Sequence, residues 1–81
     1  KEKLIQRLKS NPKDFTFDEA ESLLKYFDYE CSNKGKTSGS RIIFSNKEHG
    51  SILLHKPHPG NELKSYQVKQ LITLLTEEGL I

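Results

Sequence analysis

Apolar residues along this chain recur every three to four positions, then at every second position, then every three to four again. That change of period limits the fold more than anything else in the sequence. Leu4, Ile5 and Leu8 stand at helical spacing among Lys, Arg and Glu, and Asn11-Pro12 closes the segment. Thr16-Phe17-Asp18-Glu19 has the form of a capping box, a hydroxyl followed three residues later by a glutamate. Behind it Ala20, Leu23, Leu24 and Phe27 make one stripe, which predicts a helix over 17–27. Tyr29 to Ser32 reads as a strand, and Asn33-Lys34-Gly35-Lys36 as a turn whose Asn and Gly can take positive φ. Ser38 to Ser45 follows as a second strand, with Ile42 and Phe44 on one face and Arg41 and Ile43 on the other.

Asn46 to Gly50 is polar and turn-like. Ser51 to Lys56 reads as a third strand, apolar on both faces in its middle, so the pattern leaves its inward side unassigned. Pro57-His58-Pro59-Gly60-Asn61 fits neither strand nor helix and is expected as a structured loop. Ser65 is the expected cap of a last helix with Val68, Leu71, Ile72 and Leu75 inward, stopped by Gly79. The order is α-α-β-β-β-α. It predicts an α+β fold in which helices pack on one face of a three-stranded antiparallel meander and leave the other face, or its edge, available.

With 81 residues the chain is read as one domain, 1–81. The helix of residues 1–12 is expected as an accessory piece, its stripe being only three residues long, and 16–81 as the core. No apolar run approaches the ~20 residues of a membrane-spanning helix, and no charged start with an apolar stretch and a cleavage site is visible, so no membrane partner is expected. The single cysteine, Cys31, excludes an intramolecular disulfide and a cysteine-based zinc cage. A small buried hydrophobe in a reducing, cytoplasmic setting is the expectation for it.

The formal charge of +2 hides an uneven distribution. Lys34, Lys36, Arg41, Lys47, Lys56, Lys64 and Lys69 face only Glu48 and Glu62 between residues 31 and 70, and all three histidines fall in the same stretch. A basic half is the electrostatic footprint of a polyanion partner, although scattered lysines also serve simply to solvate a surface.

Gly39-Ser40-Arg41-Ile42-Ile43-Phe44, then His55-Lys56-Pro57-His58-Pro59-Gly60-Asn61-Glu62-Leu63-Lys64, then a helix ending Glu78-Gly79-Leu80, together resemble the HicA family. Its members are small ribonuclease toxins of bacterial toxin–antitoxin pairs, with a fold similar to the double-stranded-RNA-binding domain. The match runs from Phe17 to the C-terminus; the first helix looks like an extension. No single piece is specific, but the order and spacing together are. The resemblance implies messenger RNA and a HicB-like antitoxin as partners, and cleavage of RNA without metal or other cofactor.

One departure bears on mechanism. The family's catalytic histidine follows Gly-Ser, and that position here is Arg41. In RNA the 2′-hydroxyl attacks the adjacent phosphate once a base removes its proton, and histidine suits this because it titrates near working pH. A guanidinium cannot accept a proton at neutral pH. Arg41 can bind phosphate bidentately and offset charge on a phosphorane, but the base must lie elsewhere or the chain binds RNA without cutting it.

His58 is the first replacement candidate, held between Pro57 and Pro59 in the loop that matches the family's His-Pro-Gly segment; its bland alternative is ordering that loop. His55 ends the third strand and would project beside Arg41 if the second and third strands are neighbours, or else be a half-exposed packing residue. A metal held by His55 and His58 is not favoured, with a proline between them and only Glu62 as a third ligand. His49, in a turn with Glu48, is expected to be solvated. Ser40, Arg41, Lys34, Lys36, Lys56 and Lys64 are the candidate RNA contacts, and Tyr66 either stacks on a base or packs at the rim. Three functions stay open: an RNA-cleaving toxin, a non-catalytic RNA-binding module, and an interaction domain whose basic face serves an acidic antitoxin.

Overall fold

Thr16 sets the frame of the fold. In the computed structural model, which describes residues 2–32, 41–57 and 60–81, its hydroxyl accepts the Glu19 N–H at 3.1 Å, while the Glu19 carboxylate accepts the Thr16 N–H at 2.9 Å. The reciprocal bonds satisfy donors that the first helical turn would otherwise leave unpaired. Helix α2 (Phe17–Tyr26) starts there and buries Phe17, Ala20, Leu23 and Leu24. It ends two turns on from Ala20 in a Schellman motif: Tyr29 N–H bonds Leu24 C=O at 3.0 Å and Asp28 N–H bonds Lys25 C=O at 3.1 Å. Asp28 occupies the left-handed position, φ 67°, that glycine usually fills.

Three strands follow: β1 (Glu30–Ser32), β2 (Arg41–Asn46) and β3 (Gly50–His55), arranged β1-β2-β3 and antiparallel throughout. The expected turn 33–36 and the beginning of the second strand, 38–40, lie outside the described residues. Asn46 builds the second turn, since its side-chain oxygen accepts the Glu48 and His49 N–H groups at 2.7 and 3.0 Å. Its amide nitrogen meanwhile donates to Phe27 C=O at 2.7 Å, fixing the turn to the end of α2. Gly50 returns the chain at φ 80°, a position that a three-residue hairpin loop requires to be left-handed.

Register settles what the pattern left unassigned. Phe44 pairs with Ile52 and Ile42 with Leu54, so Ile52 and Leu54 face inward and Leu53 outward. Phe44 is buried and Ile42 half-buried, whereas Arg41 and Ile43 are exposed, the alternation expected of β2. Cys31 is half-buried against the core.

The last helix, α3, runs Ser65–Glu77. Its N-cap is Lys64 without any side-chain cap bond, which corrects the expectation that Ser65 caps it. Ser65 already has helical geometry, one residue too late for its hydroxyl to serve as the cap. Gly79, φ 75°, ends the helix as expected, with Leu80 N–H on Leu75 C=O at 2.9 Å. The loop after β3 is tied back to the start of α2: Phe17 N–H bonds Asn61 C=O and Leu63 N–H bonds Phe15 C=O, each at 2.8 Å. These bonds carry Phe15 and Leu63 into a single core with Phe17, Leu23, Leu24, Phe44, Val68, Leu71 and Leu75.

Helix α1 (Glu2–Lys9) was expected to stay outside that core, and the structure corrects this. Leu8 is fully buried in it, and Leu4 and Ile5 pack against it. Arg7 locks the helix in place, with its Nε 2.6 Å from one Glu19 oxygen and an Nη donating to Asp14 C=O at 2.9 Å. That guanidinium holds the Glu19 carboxyl below the usual carboxylate range, assisted by the Thr16 N–H. The element order matches the sequence expectation, and the arrangement is compatible with a double-stranded-RNA-binding-domain-like fold.

Leu8→Ala should destabilise the domain by about 2–4 kcal/mol in denaturant unfolding, as expected for a cavity in a core; a change near zero would return α1 to accessory status. Asp28→Gly should raise stability by about 0.5–1 kcal/mol in the same measurement, because glycine takes positive φ without the steric cost of a Cβ.

Candidate nucleic-acid interface

Arg41 opens β2 and His55 closes β3, and the two are direct cross-strand partners. Both side chains are exposed, on the face that carries no helix. The His55 main-chain N–H and C=O turn toward α3, on the side away from β2. The N–H donates to Gln67 Oε1 at 2.7 Å, and the C=O accepts from Gln67 Nε2 at 3.2 Å. The pair is therefore of the non-hydrogen-bonded kind, in which Cα atoms approach to about 4.5 Å and side chains stand closest. A fixed cation and an imidazole are thus side by side at one end of the open sheet. Ile43 and Leu53 form the next outward pair along the strands.

Beside them lies a groove of about 700 Å³ between the end of β3, the loop after it and the first turn of α3, with Thr16, His55, Lys56, Lys64, Tyr66 and Gln67 among its walls. Lys56 follows the strand directly, its ammonium 5.8 Å from the centre of the Phe17 ring. Lys64 stands at the cap of α3, and Tyr66, two residues on, is exposed. Glu62 is the acidic side chain in the wall. Two ammonium groups, an accessible aromatic face and the Arg41–His55 pair are what a strand of phosphates and bases requires.

A second groove, of about 720 Å³, has the opposite character. Asp28, Glu30 and Glu48 line it with Lys47, so it repels phosphate. His49 belongs to that side and was expected to be solvated. Its Nδ1 instead lies 2.7 Å from Glu78 Oε1, joining the β2–β3 turn to the end of α3. Nothing in local spacing announces a partner 29 residues away.

Of the residues singled out from the sequence, the structure brings together Arg41, His55, Lys56 and Lys64. His58, Ser40, Lys34 and Lys36 lie outside the described residues. Gln67 was missed. Its signal was a polar residue on the Gln67-Leu71-Leu75 stripe of α3, at a position where an apolar side chain would be expected.

Residues 17–76 match the family model described as HicA toxin of bacterial toxin–antitoxin. No curated protein and no solved structure matches the chain. No described helix is long and apolar enough to cross a membrane. The matched span begins at the first residue of α2 and takes in β1, β2, β3 and nearly all of α3, so it contains both strands of the Arg41–His55 pair and, Thr16 apart, the residues named in the wall of the groove beside them: the chain belongs to the HicA toxin family of bacterial toxin–antitoxin pairs.

Proposed function

We propose that this HicA-family toxin binds messenger RNA along the basic groove and cleaves it by attack of the RNA's own 2′-hydroxyl, without a metal. The observation that carries this is the register pairing of Arg41 with His55 at the mouth of a groove that holds Lys56, Lys64 and Tyr66. His55 takes the proton of the 2′-hydroxyl. The freed oxygen bonds the adjacent phosphorus, and the bond from phosphorus to the 5′-oxygen breaks, leaving a 2′,3′-cyclic phosphate and a 5′-hydroxyl. The departing 5′-oxygen takes up a proton, a role we assign to His58, which the sequence offered first as the replacement base. Arg41 cannot act as base, but its guanidinium offsets the charge that builds on the phosphorane. Lys56 and Lys64 hold flanking phosphates, with Ser40, Lys34 and Lys36 as further contacts. The cytoplasm is where this substrate is met, and a HicB-like antitoxin keeps the activity in check by covering the same surface.

A second function is favoured by one observation: the position that carries histidine in the family pattern is Arg41. A chain that lost its base there would bind RNA without cutting it. Incubation of end-labelled messenger RNA with the protein in EDTA separates the two. Cleavage is expected, and binding without cleavage would establish the alternative.

His55→Ala should lower the cleavage rate by ~10²–10⁴-fold, the contribution of a positioned general base, while RNA affinity changes little. Arg41→Ala should weaken binding and cleavage together, because its phosphate contact exists before and during reaction. Arg41→His rebuilds Gly-Ser-His and should raise the rate. If His55→Ala cleaves as fast as the wild type and His58→Ala does not, His58 is the base.

Affinity for a single-stranded RNA should fall linearly with salt on logarithmic axes. Lys56→Ala and Lys64→Ala should each make that slope shallower by about 0.7, one released counterion contact apiece. An unchanged slope in both variants would remove the groove from the binding surface.

A further inference from the structure

A glutamine buried to 3% exposure on the apolar stripe of α3 is a costly choice unless its amide is satisfied. The Gln67 side chain takes up the N–H and the C=O of one residue, His55, together. This is how a neighbouring strand would bond. His55 is the last residue of an edge strand, and as a non-hydrogen-bonded partner of Arg41 it exchanges no main-chain bonds with β2. Its own backbone is therefore fixed from the other side, by a side chain of the adjacent helix.

We propose that Gln67 is a positioning residue: its amide clamps the main chain of His55 and so holds the imidazole on the open face opposite Arg41. The consequence for RNA rests on the function proposed above; the clamp itself does not. A strand end without ladder bonds frays, and displacing a reacting group by about 1 Å costs about 10²-fold in rate. α3 is well placed to prevent this. Val68, Leu71 and Leu75 anchor it in the core, so Gln67 transmits the position of a rigid helix to an otherwise loose strand terminus.

Gln67→Met tests the clamp, since methionine keeps the length and apolar packing and removes both bonds. Hydrogen exchange at the His55 amide should speed up by about tenfold, the loss of one hydrogen bond. Cleavage kcat should fall by about 10²-fold, with KM and affinity for a non-cleavable 2′-O-methyl oligoribonucleotide nearly unchanged. Val68→Ala, a core truncation in the same turn, should lower the melting temperature without that kcat loss. Unchanged exchange at the His55 amide in Gln67→Met overturns the proposal, as does a kcat loss no larger than that of Val68→Ala. If the wild type proves inert toward RNA, the cleavage function fails separately. The clamp then stands or falls on the exchange of the His55 amide alone.

Discussion

The antiparallel register between β2 and β3 is the constraint on which both the core and the site depend. It sets Phe44 against Ile52 and Ile42 against Leu54 on the helix-covered face, and the same alternation sets Arg41 against His55 on the open one. A slip of one residue would bury a guanidinium and expose Phe44, whose ring lies 6.1 Å from that of Phe17. Packing on one side of the sheet thereby fixes which side chains stand together on the other. Asn46 holds the register at the turn and Gln67 at the far end, each by a side chain that bonds main-chain groups.

Around this hairpin the helices are joined by polar devices as much as by apolar contact. The Thr16–Glu19 capping box starts α2, and Arg7 then uses the same glutamate to seat α1. The segment after β3 returns to Phe15 and Phe17 through two main-chain bonds. Thr16 and Glu62, bridged across that return, stand in the wall of the basic groove. The start of α2 and the groove are therefore one piece of architecture, and the family match begins at the same residue, Phe17.

Element types and order were legible because the period of the apolar residues changes cleanly, and because Thr16-x-x-Glu19 and Gly79 carry local signals that owe nothing to the tertiary fold. The inward face of β3 was not legible: Ile52, Leu53 and Leu54 are alike in polarity, and only pairing distinguishes them. Ser65 misled because a hydroxyl near a helix start is a cap only in one position, which Lys64 occupies. Leu8 was undervalued because three apolar residues in a short helix do not reveal what they meet. At the site, Arg41 and His55 could be named from motif and strand position, but their juxtaposition needed the register. Gln67 and the His49–Glu78 contact needed three dimensions, since their partners are distant in sequence.

The pairing of Arg41 with His55 as one chemical unit is the central claim, and a double-mutant cycle on RNA cleavage tests it most directly. Single-turnover rates would be measured for the wild type, Arg41→Ala, His55→Ala and the double variant. Residues that act as a unit are non-additive, so the double variant should be little slower than the slower of the two singles, with a coupling of about 1–3 kcal/mol. Rates whose losses multiply, with no coupling between the two positions, would contradict it.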